Sequence, residues 1–225
     1  MPRNVDKHLI RKGFRALILT FGLFPALLYG TATPAGPRAI THQGVTNAEA
    51  SDNLRLLGVS GTGTLADPFV LLEEIVDGGD AIVFVTVSRS FGSRVKSFHQ
   101  TGFALVKVVR NRTTGTWQFF NIELEKRPGV ASDYYDGLSF AQAAQVNRPF
   151  RSDVFAKVED ILEPRDVLRF SQGRVPPDGI VRFSMSVTHT GPAPRFYVVQ
   201  HVRQPTVARP APKLFAARAT IRSRN

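Results

Sequence analysis

The feature that most constrains the fold is a strict alternation of apolar and polar side chains over residues 181–188. Valine, phenylalanine and methionine occupy every second position, and arginine, serine and threonine lie between them. The apolar set is Val181, Phe183, Met185 and Val187. A period of two puts each set on its own face of a strand, so this stretch predicts a half-buried antiparallel β-strand.

Six further stretches rich in Val, Ile and Phe predict strands between glycine- and proline-containing turns. They are residues 69–76, 81–88, 102–110, 116–124, 167–171 and 195–203. The turns between them predict that strands adjacent in sequence form hairpins, and that the last three form a meander. Together the patterns predict a mainly β fold, an antiparallel β-sandwich of the immunoglobulin-like or jelly-roll-like kind.

Three stretches have a less regular pattern. Residues 47–57 fit a short helix, and residues 138–146 fit either a short helix or an irregular crossover. Residues 154–163 fit a helix that stops at Pro164, and they also fit a strand because alternate positions are apolar. The neighbouring strands favour the strand interpretation of residues 154–163.

The N-terminus has the order of a secretory signal. Residues 1–15 are basic, residues 16–30 are uncharged and mostly apolar, and the small residues Gly30 and Ala32 follow. This apolar run is shorter than the about 20 residues that cross a bilayer. We expect residues 1–32 to be a signal peptide cleaved after Ala32, which makes the protein secreted or periplasmic. An uncleaved inner-membrane anchor and a buried helix of the domain are the alternatives.

The rest of the chain divides by composition. Residues 33–60 start rich in Pro, Gly and Ala and are predicted to be a linker and lead-in, followed by the β-sandwich domain over residues 61–203. Residues 204–225 are predicted to be a basic, flexible tail. The sequence contains no cysteine, so an exported domain of this chain would depend on its apolar core.

The net charge of +11 does not indicate a nucleic-acid-binding domain. Residues 1–15 carry five basic side chains and one acidic one, and residues 203–225 carry six basic side chains and no acidic one. These two ends hold +4 and +6, which leaves +1 for everything between them. A nucleic-acid-binding domain has its basic patch on the folded surface, so we predict no nucleic-acid partner.

No motif predicts catalysis or a cofactor. Residues 61–66 resemble part of a dinucleotide-binding pattern, but a predicted strand follows them, where that chemistry needs a helix. A glycine-rich turn is the better interpretation. The histidines lack metal-ligand spacing, and no nucleophile elbow is present. We therefore predict no catalytic residue, no metal, no nucleotide or other cofactor, and a role other than that of an enzyme.

Two polar groups near predicted turns have alternative interpretations. Four acids form the first group, and we interpret them as solvated turn residues, with a calcium site as the alternative. They are Glu73, Glu74, Asp77 and Asp80. The second group is His189 and His201, which flank the last predicted hairpin and are expected to approach each other.

Two segments are candidate binding sites. The loop residues Asp133, Tyr134, Tyr135 and Asp136 are predicted to contact a ligand, because loop aromatics often carry binding. The tail is predicted to bind an anionic membrane surface electrostatically. The tail residues that would do so are Arg209, Lys213, Arg218, Arg222 and Arg224.

These features predict an exported, non-catalytic protein of the cell envelope that binds a partner or polymer through its loops. The partner is expected to be an envelope protein or a polysaccharide. One alternative is an envelope hydrolase or a carbohydrate-binding accessory domain. Another alternative is a binder of anionic surfaces that acts through its basic tail.

Overall fold

The computed structural model describes residues 37–133, 135–140, 150–161 and 164–202. Within these ranges the chain forms strands joined by loops and turns, and no helix. Their bounds are β1 Ala39–His42, β2 Val45–Glu49, β3 Leu54–Ser60, β4 Phe69–Ile75, β5 Ala81–Val87, β6 Thr101–Asn111, β7 Trp117–Arg127, β8 Val130–Ala131, β9 Leu138–Phe140, β10 Arg151–Ser152, β11 Lys157–Ile161, β12 Val167–Val175, β13 Ile180–His189 and β14 Arg195–His201. A search of the described residues for a helix able to cross a membrane finds none.

The strands form two sheets that pack face to face around one core. Sheet A has the order β1-β2-β5-β14-β7-β12-β11, with β8 beside β7. Sheet B has the order β10-β13-β6-β4-β3, with β9 beside β13. Every pairing is antiparallel except that of β4 with β6, which is parallel. The fold is a mainly β sandwich, which confirms the predicted fold class.

The predicted pairing of strands adjacent in sequence is wrong. The strands β4 and β5 lie in different sheets, as do β6 and β7, and the chain passes from sheet A to sheet B and back over β12, β13 and β14. Each of these strands has one apolar face, which is stable only when it is buried against another layer of the structure. Successive strands therefore face each other across the core, and their loops cross the edge of the sandwich.

The predicted helices are wrong where the structure describes them. Residues 47–57 contribute to β2 and β3, and Leu138–Phe140 is β9. The remainder of the 138–146 prediction, from residue 141, lies outside the described residues. The preference for a strand within 154–163 is confirmed by β11, Lys157–Ile161. Residues 39–60, predicted to be a linker and lead-in, instead supply three strands, because apolar side chains such as Leu54 are buried in the core.

The core is rich in phenylalanine. The ring of Phe183 on β13 lies 4.4 Å from that of Phe120 on β7 and 4.7 Å from that of Phe170 on β12. All three side chains are fully buried. These contacts join the centre of sheet B to the centre of sheet A, and the predicted inward face of β13 is confirmed.

A buried ion pair lies among these apolar side chains. Lys107 Nζ on β6 is 2.7 Å from Glu73 Oε1 on β4, and neither side chain is exposed to solvent. From sheet A, Gln200 Nε2 on β14 donates a hydrogen bond of 3.3 Å to Glu73 Oε2. The interpretation of Glu73 as a solvated turn residue is therefore wrong. Glu73 occupies an inward position of β4, between the buried Leu71 and Ile75.

Loss of one partner of this pair should be strongly destabilising. We expect Lys107→Met to lower the free energy of unfolding by about 3–5 kcal/mol, because it leaves the Glu73 carboxylate buried without a counter-ion. The double variant Lys107→Met, Glu73→Gln should recover most of this loss, since a neutral amide can still bond Gln200. Urea unfolding measures both changes.

The surface variant Arg112→Gln is the control, because it breaks the exposed pair with Asp178. It should change stability by less than about 1 kcal/mol. A loss below about 1 kcal/mol in Lys107→Met would contradict the importance of the buried pair.

Candidate functional site

Several loops emerge at one end of the sandwich. The last residue of β13, His189, lies opposite Thr101, where β6 begins, and opposite Leu138, where β9 begins. The loops before β6 and β9 and the turn after β13 therefore lie together. The loop before β4 joins them, because Gly63 O accepts a hydrogen bond of 2.8 Å from the Ala104 N–H. We call residues 61–67, 88–100, 132–133, 135–137 and 190–194 the loop end.

Two aromatic side chains project from the loop end. Tyr135 is 92% exposed and Phe98 is 79% exposed, and no other large hydrophobic side chain in the described ranges is more than about half exposed. Tyr135 belongs to the predicted ligand-binding loop, whereas Phe98 was not predicted. The signal for Phe98 was a single apolar residue within the polar stretch of residues 96–100. Tyr134 lies outside the described residues.

The two aspartates of this loop hold its backbone. Asp133 Oδ1 accepts hydrogen bonds from the N–H groups of Tyr135, at 2.9 Å, and Asp136, at 3.2 Å. Asp136 Oδ1 accepts them from the Ser132 hydroxyl and the Leu138 N–H, both at 2.9 Å. The loop is therefore fixed by its own side chains. That Asp133 and Asp136 also contact a ligand stays a prediction.

A buried carboxyl group lies behind this loop. The Ser139 hydroxyl donates to Asp166 Oδ1 at 3.2 Å, and the Asp166 N–H donates to Ser132 O at 3.3 Å. Burial raises the pKa of Asp166 to about 7, with a smaller contribution from the negative charge of Asp136. This carboxyl group therefore titrates near neutral pH, beside the residues that fix the Tyr135 loop.

The histidines are not arranged as predicted. His189 lies at the loop end, where its Nδ1 is 3.0 Å from Gly191 O. His201 lies at the far end of β14, and its Nδ1 is 2.7 Å from Asp80 Oδ1. The two histidines end consecutive strands that run in opposite directions, so their predicted approach is wrong. The histidine that interacts with His189 is His99, whose pKa is lowered by burial and by the charge of His189.

A second polar cluster lies on the outer face of sheet A. His201 Nε2 is 3.5 Å from Glu123 Oε2, and Arg165 Nη1 is 3.5 Å from Glu123 Oε1. The Glu123 and Asp80 carboxylates raise the pKa of His201, while burial raises the pKa of Glu125 on the same face. The Glu123 carboxylate is therefore engaged by two cationic partners, and we interpret this cluster as structural.

The four turn acids do not form a calcium site. Glu73 pairs with Lys107, Glu74 lies 3.5 Å from Arg110 Nη1, and Asp80 pairs with His201. Among the residues that the structure describes, no group of three or more His, Asp or Glu side chains is placed to hold a metal ion.

The glycine-rich stretch of residues 61–66 is a turn that leads into β4, as predicted. Gly61 has a φ of +83°, and a Cβ at this position would lie 2.0 Å from Pro68 O. Only glycine fits this position without a backbone shift. The predicted anionic-surface residues, Arg209, Lys213, Arg218, Arg222 and Arg224, lie outside the described ranges, and that prediction stays open.

Comparison of the chain with protein-family models, with curated proteins and with solved structures finds no match. The candidate site is therefore defined by its geometry: two exposed aromatic rings on loops at one end of the sandwich, one of the loops being held by two aspartates and a buried carboxyl group.

The pH dependence of stability tests the role of Asp166. Its pKa in the folded protein, about 7, is above the ordinary value of 3.8, so folding favours the neutral form. This contribution to stability is fully present below pH 3.8 and is lost as the pH rises through 7. The loss amounts to about 4 kcal/mol at most.

The variant Asp166→Asn does not titrate, so its unfolding free energy should fall less than that of the wild type between pH 4 and 8. Chemical denaturation at several pH values measures the difference. Asp178→Asn, an exposed carboxyl group elsewhere, should keep the wild-type profile. If the unfolding free energy of the wild type and that of Asp166→Asn fall by the same amount between pH 4 and 8, the raised pKa of Asp166 is contradicted.

Proposed function

We propose that this protein is an exported, non-catalytic β-sandwich of the cell envelope that binds a partner or polymer through its loop end. The observation that carries the proposal is the exposure of Phe98 and Tyr135 on loops at the same end. An aromatic ring left in water is a place where binding can remove apolar surface. Two such rings at one end make a surface suited to a polymer chain or a protein.

The Tyr135 loop is prepared for binding before a ligand arrives. Its backbone is held by Asp133 and Asp136, which already accept four hydrogen bonds at 2.9–3.2 Å. Ordering a flexible loop costs binding free energy, and a loop that is already ordered avoids most of that cost. The Tyr135 ring can therefore contribute much of its buried area to affinity.

A polysaccharide is the preferred polymer. Aromatic rings offer flat apolar faces on which sugar rings can stack. The exposed aromatic rings therefore favour a carbohydrate-binding accessory domain as the second candidate function. A hydrolase is less well supported, because the buried Glu123 carboxylate is engaged by His201 and Arg165.

Capture from envelope extracts tests the loop end. The immobilised wild-type protein should retain a partner or polysaccharide, and the double variant Phe98→Ala, Tyr135→Ala should lose at least about 90% of it, because two anchors contribute most of such binding. Ile180→Ala, which removes a half-exposed side chain from β13 outside the loop end, is the matched control. Thermal unfolding should be nearly unchanged in both variants.

The same capture separates the loop end from the basic tail. If the tail carries binding, deletion of residues 204–225 abolishes retention at low salt and the aromatic double variant does not. If the loop end carries binding, the opposite holds. If the aromatic double variant and the tail deletion both retain the partner as well as the wild type does, neither the loop end nor the tail carries the binding.

Export is the other part of the proposal, and the N-terminal pattern supports it. Cleavage after Ala32 should give a mature protein that starts at Thr33. N-terminal sequencing of the protein recovered from the envelope or the medium measures this. A retained N-terminus in a membrane fraction would indicate an uncleaved anchor, and a retained N-terminus in the cytoplasm would contradict export.

A further inference from the structure

A cleft lies at the edge of sheet B, where β10 pairs with β13. Its volume is about 310 Å³, and it is lined by Val106, Arg151, Ser152, Asp153, Arg182 and Ser184. Arg151 is opposite Ser184 in the register, and Arg182 is two residues before Ser184 on the same strand. The two exposed arginines are therefore diagonal neighbours, on strand positions about 7–8 Å apart.

These two arginines have no carboxylate within ion-pair distance in the part of the chain that the structure describes. Several other arginines of this fold do have such partners. The pairs are Arg110–Glu74, Arg112–Asp178, Arg165–Glu123 and Arg169–Glu159. Two positive charges that line one cleft repel each other, so their proximity does not stabilise the sheet. A bound anion would supply the missing counter-charge.

A serine hydroxyl completes the positive side of the cleft. Ser152 pairs in register with the inward-facing Phe183, and its Oγ accepts hydrogen bonds from the N–H groups of Val154, at 3.2 Å, and Phe155, at 3.3 Å, so the hydroxyl beside the arginines is that of Ser184. The half-buried Ser184 hydroxyl makes no hydrogen bond to the described residues. Guanidinium and hydroxyl donors that converge on one space are suited to phosphate, sulfate or carboxylate oxygens.

Asp153 narrows the class of ligand. Its Oδ1 accepts a hydrogen bond of 2.8 Å from the Arg182 N–H, and its second oxygen has no hydrogen-bond partner among the described residues. A carboxylate oxygen repels a bare anion but accepts a bond from a hydroxyl group. Val106 adds an apolar surface. The best ligand therefore has an anionic group, a nearby hydroxyl and an apolar face.

We propose that this cleft binds a negatively charged sugar, with its anionic group on Arg151 and Arg182 and a neighbouring hydroxyl on Asp153. The volume is near the lower limit of about 300 Å³ for small-molecule pockets, which fits a single sugar ring. The site is on the outer face of sheet B and uses no residue of the loop end, so it does not rest on the proposed function.

Isothermal titration of the purified full chain tests the site with five probes: glucose 6-phosphate, glucose 6-sulfate, glucuronate, glucose and inorganic phosphate. At least one charged sugar should bind at least about tenfold more tightly than glucose, because a charged hydrogen bond contributes more than a neutral one. Whichever anion binds most tightly identifies the chemical source of the charge.

Variants locate the binding. Arg151→Gln and Arg182→Gln should each weaken binding of the charged sugar at least about tenfold. Asp153→Asn should reduce the preference for glucose 6-phosphate over inorganic phosphate, because it removes the repulsion of the bare anion. Arg174→Gln and Arg195→Gln, exposed arginines elsewhere on the sheets, are the matched controls and should leave affinity unchanged.

Three results would overturn the proposal. The first is that no charged sugar binds, and the second is that glucose binds as tightly as the charged sugars. The third is an equal loss of affinity in the control variants and the cleft variants, because that would reflect only the overall positive charge.

Discussion

The buried pair of Lys107 and Glu73 is the constraint on which the arrangement of the sheets depends. Taking two charges out of water is costly, so the pair is tolerated only when β4 and β6 lie side by side in one register. Gln200 then ties this pair to the middle of sheet A. A slip of either strand by one residue would separate the charges and turn its apolar side chains outward. The pair therefore selects one register for the parallel strands, and Gln200 fixes the sheet that faces them.

The position of the loop end follows from that register. The parallel strands β4 and β6 both begin at the same end of the sandwich, so the loops that precede them emerge together. His189 at the end of β13 brings the β9 loop to the same place. The Tyr135 loop is then joined to the sandwich through Ser132 and Asp166. A binding surface at this end is thus supported by main-chain pairing in sheet B and by a polar network that includes Asp166, whose carboxyl group titrates near neutral pH.

The strands could largely be predicted from the sequence, but their partners could not. Alternation reveals the buried face of a strand, whereas a Gly- or Pro-rich turn has the same composition whether the chain reverses within a sheet or crosses to the other one. Glu73 and Lys107 did leave a signal, because each charge stands at an inward position of an alternating strand. Phe98 left only a weak signal. Arg182 was predicted to lie on the outward face of β13, but Arg151 left no signal, since β10 has two residues and no periodicity.

The place of β14 in sheet A has a consequence for when the chain can fold. This last strand lies between β5 and β7 in the middle of the sheet, and His201 meets a partner that precedes it by 121 residues. Sheet A is therefore incomplete until β14 has left the ribosome, and pairing between such distant segments is slow. A long interval thus separates the synthesis of β5 from the completion of its sheet. If the chain is exported as proposed, this strand order favours the unfolded state that passage through a narrow membrane channel requires.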